Sequence, residues 1–377
     1  MTSLPRQLFT TMTEDHELVL TVEPLTVDDP GPDEIVVAVQ ATPINPSDLG
    51  LLVGPADLST ARRTEVDGHP ALVASLHAAG RRFVAGRLGQ KLSAGNEGAG
   101  LVVAAGASDA AQSLLGRTVT AVGGAMYRTH RVVKARRALP LPQGAAAAEG
   151  ASLFVNPMTV QAFLTTMRAE GHTGIVHTAA ASNLGQMLAK HCGKEGVPLV
   201  AIVRRASQRE LLEKLGVPYV VDSSMDSFFK DLVAALVASE ATLCFDAVGG
   251  GDLANTVLTA MEVALRTRGV RADIYGTPVL KQVYQYGRLD VGPTKLTPAY
   301  GMYWGVGGWL LTPRLHGLGR ERTLEMQKYA IEERNGIFAS EYARTVSLDD
   351  LLDPDTLRAI HRKGTNAKVL VDPSRAR

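Results

Sequence analysis

Apolar and polar positions follow two different rhythms along this chain of 377 residues. Between residues 17 and 39, short apolar runs are cut by Pro, Gly and Asp, as in Pro30-Gly31-Pro32-Asp33-Glu34-Ile35-Val36-Val37. Similar runs return at 100–103, 118–122 and 131–133, and short strands between turn signals predict a β-rich, partly open domain. Past residue 154 the rhythm changes. A helix-like stretch at 158–168 leads into apolar, β-branched runs at 174–177, 199–203, 219–222, 242–247 and 272–276. Between them, 184–192, 207–215, 227–238 and 253–263 show the 3.6-residue period of helices. Such alternation predicts parallel strands joined by right-handed crossovers in a doubly wound sheet. The chain from 312 on is more charged and closes on Lys368-Val369-Leu370-Val371, a strand expected to return to the first domain. The class is therefore α/β, with a β-rich domain over 1–153 and 312–377 and a parallel-sheet domain over 154–311.

Two segments stand outside these rhythms. Residues 51–94 mix Arg, Gly, Ala and His without strand alternation, and loops of that length are usually functional or mobile. They are read either as a lid over a pocket or as a helical surface insertion. His69 and His77 lie in this segment and are read as solvent-exposed, whereas His177 ends an apolar run and is read as a satisfied core residue. Residues 300–311 carry no charge and are broken by glycines. An uncharged edge strand needs a cover, so this segment is read as the sheet edge that pairs with a second subunit in a homodimer.

Composition narrows the function classes. The 39 basic and 38 acidic residues leave a net charge of +1, which gives no footprint for nucleic acid or an anionic membrane. Two cysteines, Cys192 and Cys244, make no disulfide framework and suit a reducing cytoplasm. Residues 1–16 lack the pattern of a secretory signal, and no uncharged apolar run reaches the roughly 18 residues that span a bilayer. The expected location is cytoplasmic.

A candidate nucleotide site follows the first parallel strand. Thr178-Ala179-Ala180-Ala181-Ser182-Asn183-Leu184-Gly185 turns that strand into a helix, whose N-terminus would point free N–H groups at a pyrophosphate. Of the three glycines in the usual fingerprint only Gly185 is present; Ala180 and Ser182 occupy the earlier positions. The second strand ends in Arg204-Arg205, where an acid would select NAD and a guanidinium suits a 2′-phosphate. NADPH is expected over NADH. Asp246-Ala247-Val248-Gly249 and Tyr275-Gly276 are read as the ends of the fourth and fifth strands, with Asp246 either part of the site or a structural cap.

Several pieces fall in one order along nearly the whole chain: Asn45-Pro46-Ser47-Asp48, Gly95-Asn96-Glu97-Gly98-Ala99-Gly100, Val155-Asn156-Pro157-Met158-Thr159, residues 178–186, Asp246 to Gly250, and the closing Lys368-Val369-Leu370. Together they resemble the zinc-independent branch of the medium-chain dehydrogenase/reductase superfamily, which includes quinone oxidoreductases and trans-2-enoyl thioester reductases. The resemblance implies a GroES-like catalytic domain beside a Rossmann domain. It places Asn156 and Thr159 at the nicotinamide carboxamide, and Ala247, Val248, Gly249, Tyr275 and Gly276 beside the ribose and nicotinamide. Asn366 and Lys368 would close over the cofactor. In the zinc enzymes of that superfamily a Cys stands at the position of Asn45 and a His at that of Asn96. Neutral amides are poor ligands for a borderline-soft metal, so no metal is expected.

Without a Lewis acid, an electron-poor conjugated acceptor is the easier target for hydride. The leading expectation is NADPH-dependent reduction of a quinone or α,β-unsaturated carbonyl, with Asn45 donating a hydrogen bond to the developing charge. Ser47 and Asp48 shape the pocket, or Asp48 holds local backbone. Enoyl thioester reductases carry a Tyr proton donor in the loop after their Asn-Pro-Ser-Asp, whereas all nine Tyr here lie at or after Tyr127. A thioester reductase would need another donor, such as Tyr303 or a water, and Arg62-Arg63 and Arg81-Arg82 could offer its substrate a basic patch. A third reading is an NADPH-binding protein without turnover.

Overall fold

The N-terminal rhythm folds into two β-sheets. The computed structural model describes residues 4–362 and 368–375, and the chain divides into Met1–Val155 with Ala330–Arg377, and Asn156–Tyr329. The second crossing lies at 329/330 rather than 311/312, within the helical region Leu311–Glu332, which is broken at Gly319.

In the first unit a five-stranded antiparallel sheet orders the strands Arg62–Val66, His69–Ser75, Glu17–Pro24, Arg6–Met12 and Lys91–Ser93. Arg6–Met12 buries Leu8, Thr10 and Met12 on one face, the period of a half-buried strand. A second sheet centres on Glu34–Pro43, flanked by Glu97–Ala105 and by the returning strand Lys368–Val371, which itself pairs in parallel with Tyr342–Val346. The expected return of the last strand is therefore found.

Residues 51–94 carry strands that the sequence pattern did not show, with short helical turns between them. They contain a hairpin, Arg62–Val66 with His69–Ser75, whose second strand extends the five-stranded sheet through Glu17–Pro24. The two loop residues Asp67 and Gly68 both have positive φ, the turn that matches strand twist. The run Ala71-Leu72-Val73-Ala74 is buried and anchors the hairpin.

The second unit holds six parallel strands in the order Tyr219–Asp222, Leu199–Val203, Ile175–His177, Leu243–Asp246, Lys281–Gln285 and Trp304–Gly308. The predicted fifth strand at 272–276 is a turn; the fifth strand is Lys281–Gln285. Its residues read as polar, but Lys281 is fully buried because its ammonium meets the Glu262 carboxylate at 2.8 Å. Trp304–Gly308 is the sheet edge, and among the described residues it has one neighbouring strand. No described helix is long and apolar enough to cross a membrane.

Candidate functional site

Each unit carries one group of candidate residues. In the second, Ile175–His177 opens into the loop 178–182, and Ser182 caps the helix Asn183–Glu195 by accepting the Gly185 N–H at 3.1 Å. A Cβ on Gly185 would lie 2.1 Å from the Ala180 carbonyl oxygen, so helix and loop meet only through glycine. The left-handed residue is Ala179, with φ of 52°. The N–H groups of Ala181 and Leu184 have no acceptor among the described residues. Asn156 donates to Asn183 at 2.9 Å, which joins two of the expected cofactor residues, and Thr159 lies buried one turn on.

The carboxyl ends of the neighbouring strands complete this group. Arg204 and Arg205 are exposed just past Val203, and neither forms an ion pair among the described residues. Asp246 accepts from Thr178, Val248 and Gly249. Its carboxylate is thereby a cap that fixes Ala247, Val248 and Gly249. His177 is fully buried, its Nε2 lies 2.7 Å from the Tyr286 hydroxyl, and burial pushes its pKa down to about 3. It is a neutral core residue.

Three expectations need correction. Tyr275 and Gly276 belong to a turn before Lys281–Gln285, at the amino end of the parallel sheet. The Tyr-Gly pair at the carboxyl end is Tyr286-Gly287: Tyr286 N–H reaches the Asp246 carbonyl, and a Cβ on Gly287 would meet Ala247 backbone at 2.6 Å. A second Tyr-Gly was present in the sequence, hidden behind a polar-looking strand. Tyr303 precedes Trp304–Gly308 and so also lies at the amino end, a strand length of about 17 Å from the carboxyl ends. It is therefore remote from the loops at the carboxyl ends of the parallel sheet, where 178–182 and 247–249 lie. Asn366 lies outside the described residues.

The first unit holds a buried polar cluster built on the motifs around Asn45 and Glu97. Asn45 donates its side-chain amide to Glu97 Oε1 at 2.8 Å, while Glu97 Oε2 accepts the N–H groups of Phe154 and Val155 at 2.7 and 3.0 Å. Asp48, without exposed surface, accepts Asn45 N–H on one oxygen and Asn96 N–H on the other, both at 2.9 Å. Asn96 also donates to Ser47 at 3.0 Å. The amides at 45 and 96 are thus joined to carboxylate and hydroxyl oxygens, and the Asn45 side-chain Oδ1 stays buried without a partner.

Electrostatics in this cluster is unusual. Burial pushes the Asp48 carboxyl up to about 7, assisted by Glu97 and opposed by its two backbone bonds. Burial pulls the Lys368 ammonium down to about 8, against the attraction of Glu97 and Asp48. Lys368 donates to Ser152 at 2.8 Å, and Ser152 lies 2.7 Å from the Tyr342 hydroxyl. Glu97, Ser152 and Tyr342 were not singled out from sequence. Glu97 stood inside a quoted motif, while the other two had no local signal.

No protein-family model matches the chain, and no curated protein matches it. Solved structures do share its fold. A Mesorhizobium loti protein described as a candidate NADPH:quinone reductase superposes with TM-score 0.73 at 23% identity over 98% of both chains. Escherichia coli quinone oxidoreductase, complexed with NADPH, gives TM-score 0.69 at 16% identity over 98% of this chain and 100% of that one. A mutant form of enoyl thioester reductase from Candida tropicalis gives 0.66 at 17% identity, again over 98% and 100%. The chain therefore has the two-part α/β fold of these reductases.

Proposed function

We propose that the protein is an NADPH-dependent reductase that transfers hydride to a quinone or an α,β-unsaturated carbonyl. The observation that carries this reading is the turn at 178–185. Its close approach through Gly185 and the unpartnered N–H groups of Ala181 and Leu184 fit a pyrophosphate at a helix N-terminus. The exposed guanidinium groups of Arg204 and Arg205 suit a 2′-phosphate, at roughly 1.5–3 kcal/mol per charge-assisted bond. Ala247, Val248 and Gly249, with Tyr286-Gly287 beside them, offer backbone a nicotinamide could approach. The fold neighbours include a structure with NADPH and enzymes of both acceptor classes.

NADPH, when bound, supplies the hydride. The chain's own residues bind and orient it, and the amides at Asn45 and Asn96 offer hydrogen bonds instead of the thiolate and imidazole a zinc site would use. That donor set favours acceptors that are electron-poor by themselves. The same reading takes Trp304–Gly308 as the edge joining two copies, with Met302, Tyr303 and Leu310 exposed around it; light scattering giving a monomer would remove that part.

The test is NADPH oxidation by the purified protein with a naphthoquinone and a short 2-enoyl thioester assayed in parallel. Turnover of either supports the reductase reading. NADPH bound tightly but oxidised by neither would replace it with a binding protein. The paired change Arg204→Ser and Arg205→Ser is expected to weaken NADPH about 10- to 100-fold and leave NADH unchanged; equal losses for both would defeat the 2′-phosphate assignment.

A further inference from the structure

We propose that the first unit holds a phosphate-binding site, in which Arg128, Arg131 and Arg137 gather on the turn Gly123-Gly124. It lies wholly within that unit and does not rest on the reductase reading.

One strand connection builds it. The strand Thr118–Val122 ends in the turn, and the chain returns through Arg128 into His130–Lys134 and the short helix Ala135–Arg137. Gly123, Gly124 and Ala125 all have positive φ, and the two glycines leave open space beside their backbone. Arg131 occupies that space, donating its Nε–H to the Gly124 carbonyl at 3.2 Å. Arg137 occupies it too: a Cβ on Gly123 would lie 3.4 Å from Arg137 Nη1. Arg128 donates to Ser93 at 3.0 Å and keeps its Nε buried without a partner.

Three guanidinium groups so placed repel one another, and a carboxylate would ordinarily relieve the crowding. Here none does. Among the described residues none of the three forms an ion pair, whereas nearby cations do: Lys134 meets Glu34 at 3.0 Å and Arg6 meets Asp349 at 2.7 Å. Burial pulls the Arg128 guanidinium down to about 10, and the Arg131 charge adds to the fall. Burial lowers Arg131 as well, with Arg137 adding to it, and no acidic group opposes either shift. Holding a guanidinium away from water without a counter-charge is costly. The missing counter-charge is an anion from outside the chain.

Charge and shape select a phosphate. A carboxylate brings a single negative charge to three positive ones. A phosphomonoester brings nearly two above its second pKa of about 6, on three acceptor oxygens, and guanidinium forks match that geometry. Solvent reaches the group, because Gly123 and Arg137 are exposed and Arg128 and Arg131 are half-buried beside them.

The test is titration calorimetry on the full chain at fixed ionic strength, with inorganic phosphate, glycerol 1-phosphate and acetate. Every sample carries Arg204→Ser and Arg205→Ser, so the arginines of the second unit contribute nothing. Both phosphates are expected to bind about 10-fold tighter than acetate or better. The tighter of the two tells whether the site takes free phosphate or one carried on an organic molecule. Arg131→Gln and Arg137→Gln should each weaken phosphate about 10-fold. Arg131→Lys, which keeps the charge and loses the fork, should fall between wild type and Arg131→Gln. Arg136→Gln, an exposed neighbour on the same short helix, should stay within about twofold. Arg137 is exposed and makes no hydrogen bond among the described residues, so its variant keeps the fold. Acetate binding as tightly as phosphate, or no binding of either phosphate, would overturn the site. So would an equal loss in Arg136→Gln, or a phosphate affinity unmoved by Arg131→Gln and Arg137→Gln.

Discussion

Each unit buries a lysine and a carboxylate, and the two arrangements are opposites. In the second unit Lys281 and Glu262 touch, and Thr277 and Arg266 complete the carboxylate's bonds. Burial raises the Glu262 pKa, but these hydrogen bonds outweigh it and hold the carboxyl at about 2. In the first unit Lys368 donates to a serine, and Asp48 and Glu97 accept from amides and backbone N–H groups. There Asp48 and Lys368 are brought to about 7 and about 8. A satisfied pair has one protonation state and fixes a turn. An unsatisfied cluster has several states close in energy, which is the condition for moving protons.

The largest effect should come from breaking the satisfied pair. Lys281→Met leaves Glu262 buried without its main partner and is expected to cost about 3–5 kcal/mol, read by urea denaturation. Lys368→Met is expected to cost no more than about 1 kcal/mol, since it removes a desolvated charge that forms no ion pair among the described residues. Equal losses would erase the distinction.

A smaller effect should appear in pH dependence. The folded state holds the Asp48 proton more tightly than the unfolded chain does. Its contribution to stability is therefore full below about pH 4 and fades as pH rises to about 7, then stays flat. The scale is about 1.4 kcal/mol for each tenfold change in proton affinity. Wild-type stability measured relative to Asp48→Asn should decline across that window. A constant difference between the two proteins would show that Asp48 does not titrate there. For Lys368, lowered to about 8, the penalty should ease only above that pH.

The double change Glu262→Leu with Lys281→Met should cost less than Lys281→Met alone. Replacing a whole buried pair with apolar groups is often close to neutral, so it is expected to recover most of the single-variant loss, to within about 1–2 kcal/mol of wild type. A double variant as unstable as Lys281→Met would show that Thr277 and Arg266 depend on the carboxylate.

The parallel sheet was legible wherever its strands were apolar through and through. Leu199–Val203 and Leu243–Asp246 announce themselves by composition. Lys281–Gln285 does not, because its buried lysine reads as surface until Glu262, 19 positions earlier, is brought beside it. That single miss displaced the Tyr-Gly pair and, with it, two expected cofactor residues. The hairpin in 51–94 was missed for a related reason: Arg62, Arg63, Thr64 and Glu65 are all exposed, so no alternation marks the strand. Its legible sign was the Asp67-Gly68 turn. The loop at 178–185 could be found locally, since strand, turn and helix are consecutive. The network of Lys368, Ser152 and Tyr342 could not, because Ser152 and Lys368 are separated by 216 positions and nothing near either one names the other.

The first unit is discontinuous, and its middle strand Glu34–Pro43 waits for Lys368–Val371 to arrive from the far end of the chain. On a ribosome, the contiguous second unit can fold as it emerges, while the first still lacks a strand of its sheet. The lysine of the polar cluster rides on that late strand. Newly made chains should therefore complete the parallel sheet before the strand that carries Lys368 is in place, so the first unit's polar cluster is the last part of the fold to close.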